Sequence, residues 1–239
     1  DRRRQSTPPA WIYLRAFALA LIAGLVNAVG FLGVFHQALS HLTGTLTVLG
    51  MELARGDYPV ALHALAILLA FFAGCVLSGA VIAQGQLKLG RRYGVALSLE
   101  STALFAAVLL LRRGNIAGEY LAALACGLQN AMATTYSGAA MRTTHMTGMV
   151  TDLGIACGHL LRGVPVDWFR FRLYGVLLLG FFAGGVVGAI GYGRFGYDTL
   201  LLPATLSGVT GAGYTAYRLY RRNHHGDRTQ PPFAPAAKD

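Results

Sequence analysis

A five-residue stretch, Gly-Leu-Val-Asn-Ala at residues 24–28, returns later in the chain as Gly-Leu-Gln-Asn-Ala at residues 127–131. Two further blocks return in the same order: His-Leu-Thr-Gly at 41–44 becomes His-Met-Thr-Gly at 145–148, and Phe-Phe-Ala-Gly at 71–74 recurs at 181–184. The offsets are 103, 104 and 110 residues, so the order is kept and the loop lengths change. Self-similarity at a long, nearly fixed period indicates a duplicated architecture. We therefore predict two repeats within one membrane domain, residues 11–111 and 117–220.

The composition places these repeats in a lipid bilayer. Of the 239 residues, 54% are hydrophobic and 13% are charged, and the charged share is about half of that in a soluble domain. Too few charges remain to cover the surface of a water-soluble globule, so we predict an integral membrane protein. The net charge of +10 comes from cations at the borders of apolar runs, such as Lys88–Arg92. That distribution favours lipid headgroups as the partner and excludes nucleic acid.

The apolar runs predict an all-α polytopic fold. Six are long enough to cross the bilayer: Trp11–Phe35, Val60–Ala83, Tyr93–Leu111, Tyr120–Ala140, Phe171–Tyr192 and Thr199–Tyr217. Two more, His41–Ala54 and His145–Leu161, are short and more polar, and they read as half-helices, re-entrant segments or short crossings. Residues 1–10 form a basic tail, and residues 223–239 form a polar tail that we expect to be disordered.

The number of crossings decides the symmetry of the two repeats. If the short segments do not cross, each repeat has three spans and the repeats are inverted, as in many secondary transporters. If they do cross, the protein has eight spans and the repeats are parallel. The cation cluster at Lys88–Arg92 favours six crossings and therefore inverted repeats, because clustered cations in short loops orient a membrane protein most strongly.

Asn27 and Asn130 lie at equivalent positions inside apolar helices. An asparagine in hydrocarbon is costly unless its amide is paired. One interpretation is a hydrogen bond that joins two helices. The other is an unwound stretch, permitted by Gly24, Gly30 and Gly33, whose freed backbone carbonyls line a cavity.

The duplicated His-x-Thr-Gly motif is the sharpest candidate for a binding site. We expect Ser40 or Thr43, and Thr144 or Thr147, to cap the short helices at this point. A helix start offers free N–H groups and the positive end of the helix dipole, which attract anions. An adjacent histidine can donate a hydrogen bond or exchange a proton. The predicted solute-contacting residues are Asn27, His41, Thr43, Gly44, Asn130, His145, Thr147 and Gly148.

Two carboxylates inside apolar runs, Glu100 and Asp152, are candidates for proton coupling. Intramembrane acids are functional candidates by default, because burial makes an unpaired charge expensive. Neither has an acidic counterpart in the other repeat. The alternative interpretation is that each pairs with a neighbouring cation or extends to the interface.

The sequence gives no sign of an enzyme. It contains no HExxH, GxSxG, P-loop or CxxCH motif. The scattered histidines fit no metal or haem ligand spacing. We expect no catalytic residues, no cofactor and no bound metal.

The paired asparagines and the two histidine–threonine–glycine motifs resemble those of the bacterial YoaK-like membrane proteins of the DUF1275 (UPF0700) family, over about residues 15–220. The resemblance implies an inner-membrane protein of roughly six spans, and it supplies no activity, substrate or catalytic residue.

From the repeat and its motifs, we predict a transporter for a small solute, with anions among the candidates, bound at a central site between the two repeats. The alternative is a scaffold or sensor subunit in which the repeats form a helix-packing core without transport.

Overall fold

A computed structural model describes residues 10–33, 36, 39–82, 91–136 and 143–224, without the side chains of residues 91, 92, 136 and 217–224. These residues form α-helices and one short 3₁₀ helix, Gly196–Leu200. The α-helices are α1 Ala10–Leu32, α2 Leu42–Arg55, α3 Tyr58–Val81, α4 Arg91–Arg112, α5 Ala117–Tyr136, α6 Met146–Leu161, α7 Trp168–Phe195 and α8 Leu201–His224. Most of the two predicted tails lies outside the described residues, although α1 begins at Ala10 and α8 continues to His224.

Four helical segments are long and apolar enough to cross a membrane: Ala10–Leu32, Tyr58–Val81, Tyr93–Arg112 and Trp168–Ala216. The last of these contains two helices, α7 and most of α8, joined by the 3₁₀ helix. The prediction of an all-α fold is therefore confirmed for the described residues, and four segments, where six were predicted, are long and apolar enough to be candidate membrane spans. Helices α2 and α6 have 14 and 16 residues, or about 21 and 24 Å at 1.5 Å per residue, which is less than the ~30 Å hydrocarbon core.

The backbones of α1 and α7 approach each other very closely at several glycines. A Cβ added at Gly24 would collide with the Phe181 carbonyl oxygen, and one added at Gly184 would collide with the Leu21 carbonyl oxygen. Further along the same pair of helices, Gly188 lies against Leu25. Because both residue numbers increase together, α1 and α7 run parallel.

The same contact recurs between α3 and α5 at the positions matched by the sequence repeat. A Cβ at Gly74 would collide with the Leu124 carbonyl oxygen, and one at Gly127 with the Phe71 carbonyl oxygen. Near the starts of both helices, His63 lies beside Tyr120. Helices α3 and α5 therefore also run parallel, and the small residues permit close backbone approach within the bilayer.

Helices α4 and α8 form an antiparallel pair. Ser101 Oγ donates a 2.7 Å hydrogen bond to the Ala204 carbonyl, whereas the earlier Gly94 lies against the later Gly211. The main buried cluster is drawn from α1, α3, α4, α5 and the region where α8 begins.

Helices α1 and α5 are continuous through Asn27 and Asn130, so the predicted interruption at these positions is wrong. Gly24 and Gly127 serve instead as contact points where another helix backbone approaches. Close packing of another helix at a glycine does not break the backbone hydrogen bonds of the glycine's own helix. The backbone carbonyls therefore stay bonded within the helix and are not available to line a cavity.

The caps of the short helices also differ from the prediction. His41 and His145 occupy the N-cap positions of α2 and α6, and neither side chain makes a capping hydrogen bond. Thr43 and Thr147 lie inside the first turn, so neither can act as the N-cap.

Candidate functional site

A cavity of about 1120 Å³ lies where α1, α3, α5 and α7 meet the starts of α2 and α6. Its wall contains seven of the eight predicted solute-contacting residues: Asn27, His41, Thr43, Asn130, His145, Thr147 and Gly148. The eighth, Gly44, lies directly against the His41 ring. The structure thus brings both copies of the repeated motif to one space, although they are about 100 residues apart in the chain.

The two asparagines attach the starts of the short helices to α1 and α5. Asn27 Oδ1 accepts hydrogen bonds from the backbone N–H of Ser40 at 3.0 Å and from its hydroxyl at 2.9 Å. Asn130 Oδ1 accepts a longer bond, 3.4 Å, from the Thr143 hydroxyl. In both repeats the donor is 13 residues after the asparagine. Each asparagine therefore pairs its amide oxygen and positions the residues that lead into a short helix.

The histidines begin the short helices and fold back over the first turn. A Cβ at Gly44 would overlap the His41 ring, and a Cβ at Gly148 would overlap the His145 ring. The spacing from histidine to glycine is thus explained, because glycine alone leaves room for the imidazole against the helix backbone. Two equivalent imidazoles consequently stand at the cavity wall.

The first turns of α2 and α6 place backbone donors at the cavity. The first bonds within these helices run from Thr45 N to the His41 carbonyl at 3.1 Å and from Met149 N to the His145 carbonyl at 3.2 Å. The N–H groups of residues 42–44 and 146–148 precede those bonds and have no carbonyl within their helix to bond. Both helix starts also carry the positive end of the helix dipole.

The remaining wall is apolar or carries neutral polar groups. Phe71 and Phe181, which are equivalent in the repeat, both contribute to it, and Thr134 and Thr135 add hydroxyl groups. Cys75 also lies on the wall, and its thiol donates to the Gly127 carbonyl at 3.3 Å. Within the described part of the chain, no Asp, Glu, Lys or Arg lines this cavity.

The two predicted proton-coupling carboxylates lie elsewhere. Asp152 is exposed on α6 and lines a separate space of about 200 Å³ with Arg170 and Tyr174. Asp152 faces α7 at this position, where its side chain forms a hydrogen bond with Tyr174. Glu100 is buried, 2% exposed, as expected, but it lies between α4 and α8, where Ser207 Oγ donates to its Oε1 at 3.1 Å.

A second buried ionisable group was missed by the sequence reasoning. His63 Nε2 and Glu119 Oε2 are 3.2 Å apart, and His63 Nδ1 is 3.1 Å from the Tyr120 hydroxyl oxygen. His63 is 3% and Glu119 2% exposed. Glu119 stands at the start of an apolar run, just after a Gly-Asn turn, where an acid at the interface is the ordinary expectation. The single signal in the sequence was a histidine inside the run from residue 60 to 83.

Among the described residues, no group of three or more His, Cys, Asp or Glu side chains could hold a metal ion. The cavity wall offers neutral hydrogen-bonding groups and two imidazoles.

The model of the family described as "Protein of unknown function (DUF1275)" matches residues 15–213. The chain belongs to this family. The predicted membership of the DUF1275 family is thereby confirmed, and the matched range includes both copies of the cavity-lining His-x-Thr-Gly motif. No curated protein and no solved structure matches the chain.

Proposed function

We propose that this DUF1275 protein is a transporter for a small solute in the bacterial cytoplasmic membrane, with the cavity as its central site. One observation carries the proposal: both copies of the His-x-Thr-Gly motif and both repeated asparagines line a single cavity. A transporter built from a duplicated unit binds its solute at the interface between the repeats, near the centre of the bilayer.

The directions of the helices support six crossings and inverted repeats. Glu119, at the start of α5, lies against Gly33, at the end of α1, so these equivalent helices run in opposite directions. Since α7 is parallel to α1 and α3 is parallel to α5, α3 and α7 are also opposed. The antiparallel pair α4 and α8 completes the set. On this topology the crossings are α1, α3, α4, α5, α7 and α8.

The short helices then act as re-entrant segments. Helix α2 ends at Arg55 and α3 begins at Tyr58, so α2 folds back along α3. Its length of about 21 Å brings His41 from the membrane surface to the level of Phe71, in the middle of α3. Helix α6 stands in the same relation to α7 and Phe181. The two helix starts would reach the centre from opposite sides of the membrane.

The chemistry of the wall favours a solute that accepts hydrogen bonds. Two helix starts and two imidazoles present donors and positive dipole ends. A cation would meet no carboxylate among the described wall residues. We therefore propose a small anion, or a small neutral solute with acceptor oxygens. The two repeats would rock about this site to expose it to either side, and the site would act by binding without catalysing a reaction.

The experiment replaces the histidines singly and together, as His41→Ala and His145→Ala. Purified protein is first screened by thermal unfolding against small inorganic anions, short carboxylates and small neutral polar solutes. Compounds that stabilise it are then tested as labelled solutes for uptake into proteoliposomes. We expect the double variant to fold, to lose the solute-induced stabilisation and to reduce uptake to the level of empty liposomes.

His159→Ala is the matched control, because His159 is an exposed histidine on α6 outside the cavity. It should behave like the parent protein. A double variant that retains both stabilisation and uptake would refute the proposed site.

The scaffold or sensor alternative draws support from the glycine-mediated helix contacts, which would hold the protein together with or without transport. A scaffold or sensor is expected to have a densely packed interior between the repeats. The large cavity at the convergence of the two motifs favours transport instead.

A further inference from the structure

A buried ionisable pair, His63 on α3 and Glu119 on α5, stands apart from the cavity and has no part in solute contact. Its two groups are 3.2 Å apart, and each is almost completely removed from solvent. Bare charges are very costly in such surroundings, and a pair that shares one proton is neutral overall. Tyr120, whose hydroxyl lies 3.1 Å from the other ring nitrogen of His63, fixes the orientation of the imidazole.

The repeat itself shows that the fold does not need charge at this position. The offsets of 103 and 110 residues place Ala16 opposite Glu119 and Leu173 opposite His63. Ala16 and Leu173 belong to one buried apolar cluster between α1 and α7. The same helix pair is thus packed by aliphatic side chains in one copy and by an acid–imidazole pair in the other. Intramembrane ionisable groups retained where apolar ones suffice indicate function.

The pair also touches the segment that leads to the cavity. Glu119 Oε1 and the Tyr197 hydroxyl both lie 3.0 Å from the position that a Cβ on Gly33 would occupy. Gly33 follows directly on α1, two residues after Phe31 of the cavity wall, and the chain then leads to His41. A change of charge at Glu119 therefore acts where α1 ends and the connection to α2 begins.

The charged groups described elsewhere on the surrounding elements include two ion pairs and the buried Glu100 of α4, which accepts a hydrogen bond from Ser207. At the end of α2, Glu52 pairs with Arg55 at 2.9 Å. At the end of α4, Arg112 forms a bidentate pair with Asp198 of the 3₁₀ helix, with one bond of 2.6 Å. Both pairs have an exposed partner. Among the described residues, the Tyr120 hydroxyl lies 3.1 Å from His63 Nδ1, and the Tyr197 hydroxyl lies beside Glu119 at Gly33. The titratable His36 follows on the same segment, where its backbone N–H donates to the Gly33 carbonyl at 3.3 Å.

We propose that His63 and Glu119 form a proton-binding site that couples proton movement to solute movement through the cavity. This inference rests on the proposed transport function. In one cycle a proton from water on one side binds to the imidazole or the carboxylate, and the same proton is released to water on the other side. An N–H or O–H bond forms and later breaks, and no redox change occurs.

Proton binding is tested without any solute by pH-difference infrared spectroscopy of the whole protein in lipid. Acidification should produce the carbonyl band of a protonated carboxyl group. Glu119→Gln should remove that band, and His63→Gln should shift its pH midpoint. Glu100→Gln, which changes another buried acid, is the matched control and should leave the Glu119 band in place. If Glu119→Gln leaves every pH-dependent carboxyl band unchanged, the proton site is refuted.

Coupling is tested in proteoliposomes that contain a pH-sensitive dye, with each labelled solute that stabilises the parent protein in the thermal-unfolding screen. Solute entry by the parent should acidify or alkalinise the lumen. Glu119→Gln should still equilibrate the solute, with proton movement reduced to the level of empty liposomes. Should Glu119→Gln move protons as the parent does, coupling fails while transport stands.

Absence of uptake by the parent itself would refute both transport and coupling, and the infrared result would still decide the proton site. Tyr120→Phe is the alternative test variant if Glu119→Gln does not fold. It removes the hydroxyl beside His63 and should shift the pH midpoint of the carboxyl band, whereas an unchanged midpoint in a folded Tyr120→Phe variant would contradict the proposed site.

Discussion

The glycine contact between α1 and α7 gives a sharp test of the architecture, through two adjacent residues of α7. A Cβ at Gly184 would collide with the Leu21 carbonyl oxygen, whereas nothing lies within 4 Å of a Cβ at Gly185. Gly184→Ala should therefore force two helix backbones apart, and Gly185→Ala should not. Because a backbone carbonyl cannot rotate away as a side chain does, the helices themselves must move.

The magnitude follows from two opposing effects. Overpacking of a well-packed site costs about 1–3 kcal/mol, and a collision with backbone belongs at the upper end, near 3 kcal/mol. Replacing a helical glycine by alanine offsets about 1 kcal/mol of this. The net loss is about 2 kcal/mol, or a fall in Tm of roughly 4–8 °C for a chain of this size. Gly185→Ala keeps the helix gain alone, so its Tm should be unchanged or rise by up to about 4 °C.

The assay is thermal unfolding of each purified variant in the same detergent, followed by loss of the monodisperse peak on size exclusion. Gly74→Ala, which affects the equivalent contact with Leu124, should be destabilised to a similar extent as Gly184→Ala. Equal melting temperatures for Gly184→Ala and Gly185→Ala would refute the close approach of α1 and α7.

Two further outcomes concern the cavity. Asn27→Ala removes the acceptor for both the N–H and the hydroxyl of buried Ser40 and should cost about 1–3 kcal/mol. Asn130→Ala loses one longer hydrogen bond and should cost less than Asn27→Ala; a thermal-unfolding comparison that gives the reverse order would contradict the assigned bonds. A small water-soluble maleimide should modify Cys75, on the cavity wall, much faster than buried Cys126. Peptide mass spectrometry measures both rates, and equal slow rates would show that water does not reach the cavity.

The cavity was largely predictable from the sequence because the repeat carried the information. Asn27 and Asn130, and likewise His41 and His145, occur twice in equivalent surroundings. A polar residue that is kept at the equivalent position of both repeats, inside an apolar segment, indicates a role common to the two repeats. The sequence could not fix the detail of each helix start, since a histidine at the N-cap position is recognisable only once its ring is seen against Gly44 or Gly148.

The errors have a physical cause in the several roles that one residue type can take. Glycine permits a helix break and also permits close packing, and at Gly24 the packing role holds because α7 passes there. Buried acids present the opposite difficulty. Asp152 and Glu119 have similar apolar neighbours in sequence, yet Asp152 is exposed and Glu119 is buried against His63. The pairing of helices that are distant in sequence decides which acid is buried, and the residues next to each acid in the chain do not indicate that pairing.

The unequal filling of the two equivalent helix pairs has a consequence for the resting state. On the proposed inverted topology, two identical repeats would give inward-facing and outward-facing conformations of equal free energy. An acid and an imidazole at Glu119 and His63, opposite an alanine and a leucine at Ala16 and Leu173, remove that degeneracy. The resting protein would then prefer one of the two conformations, with the cavity open to one side of the membrane, and the pH would set the strength of that preference.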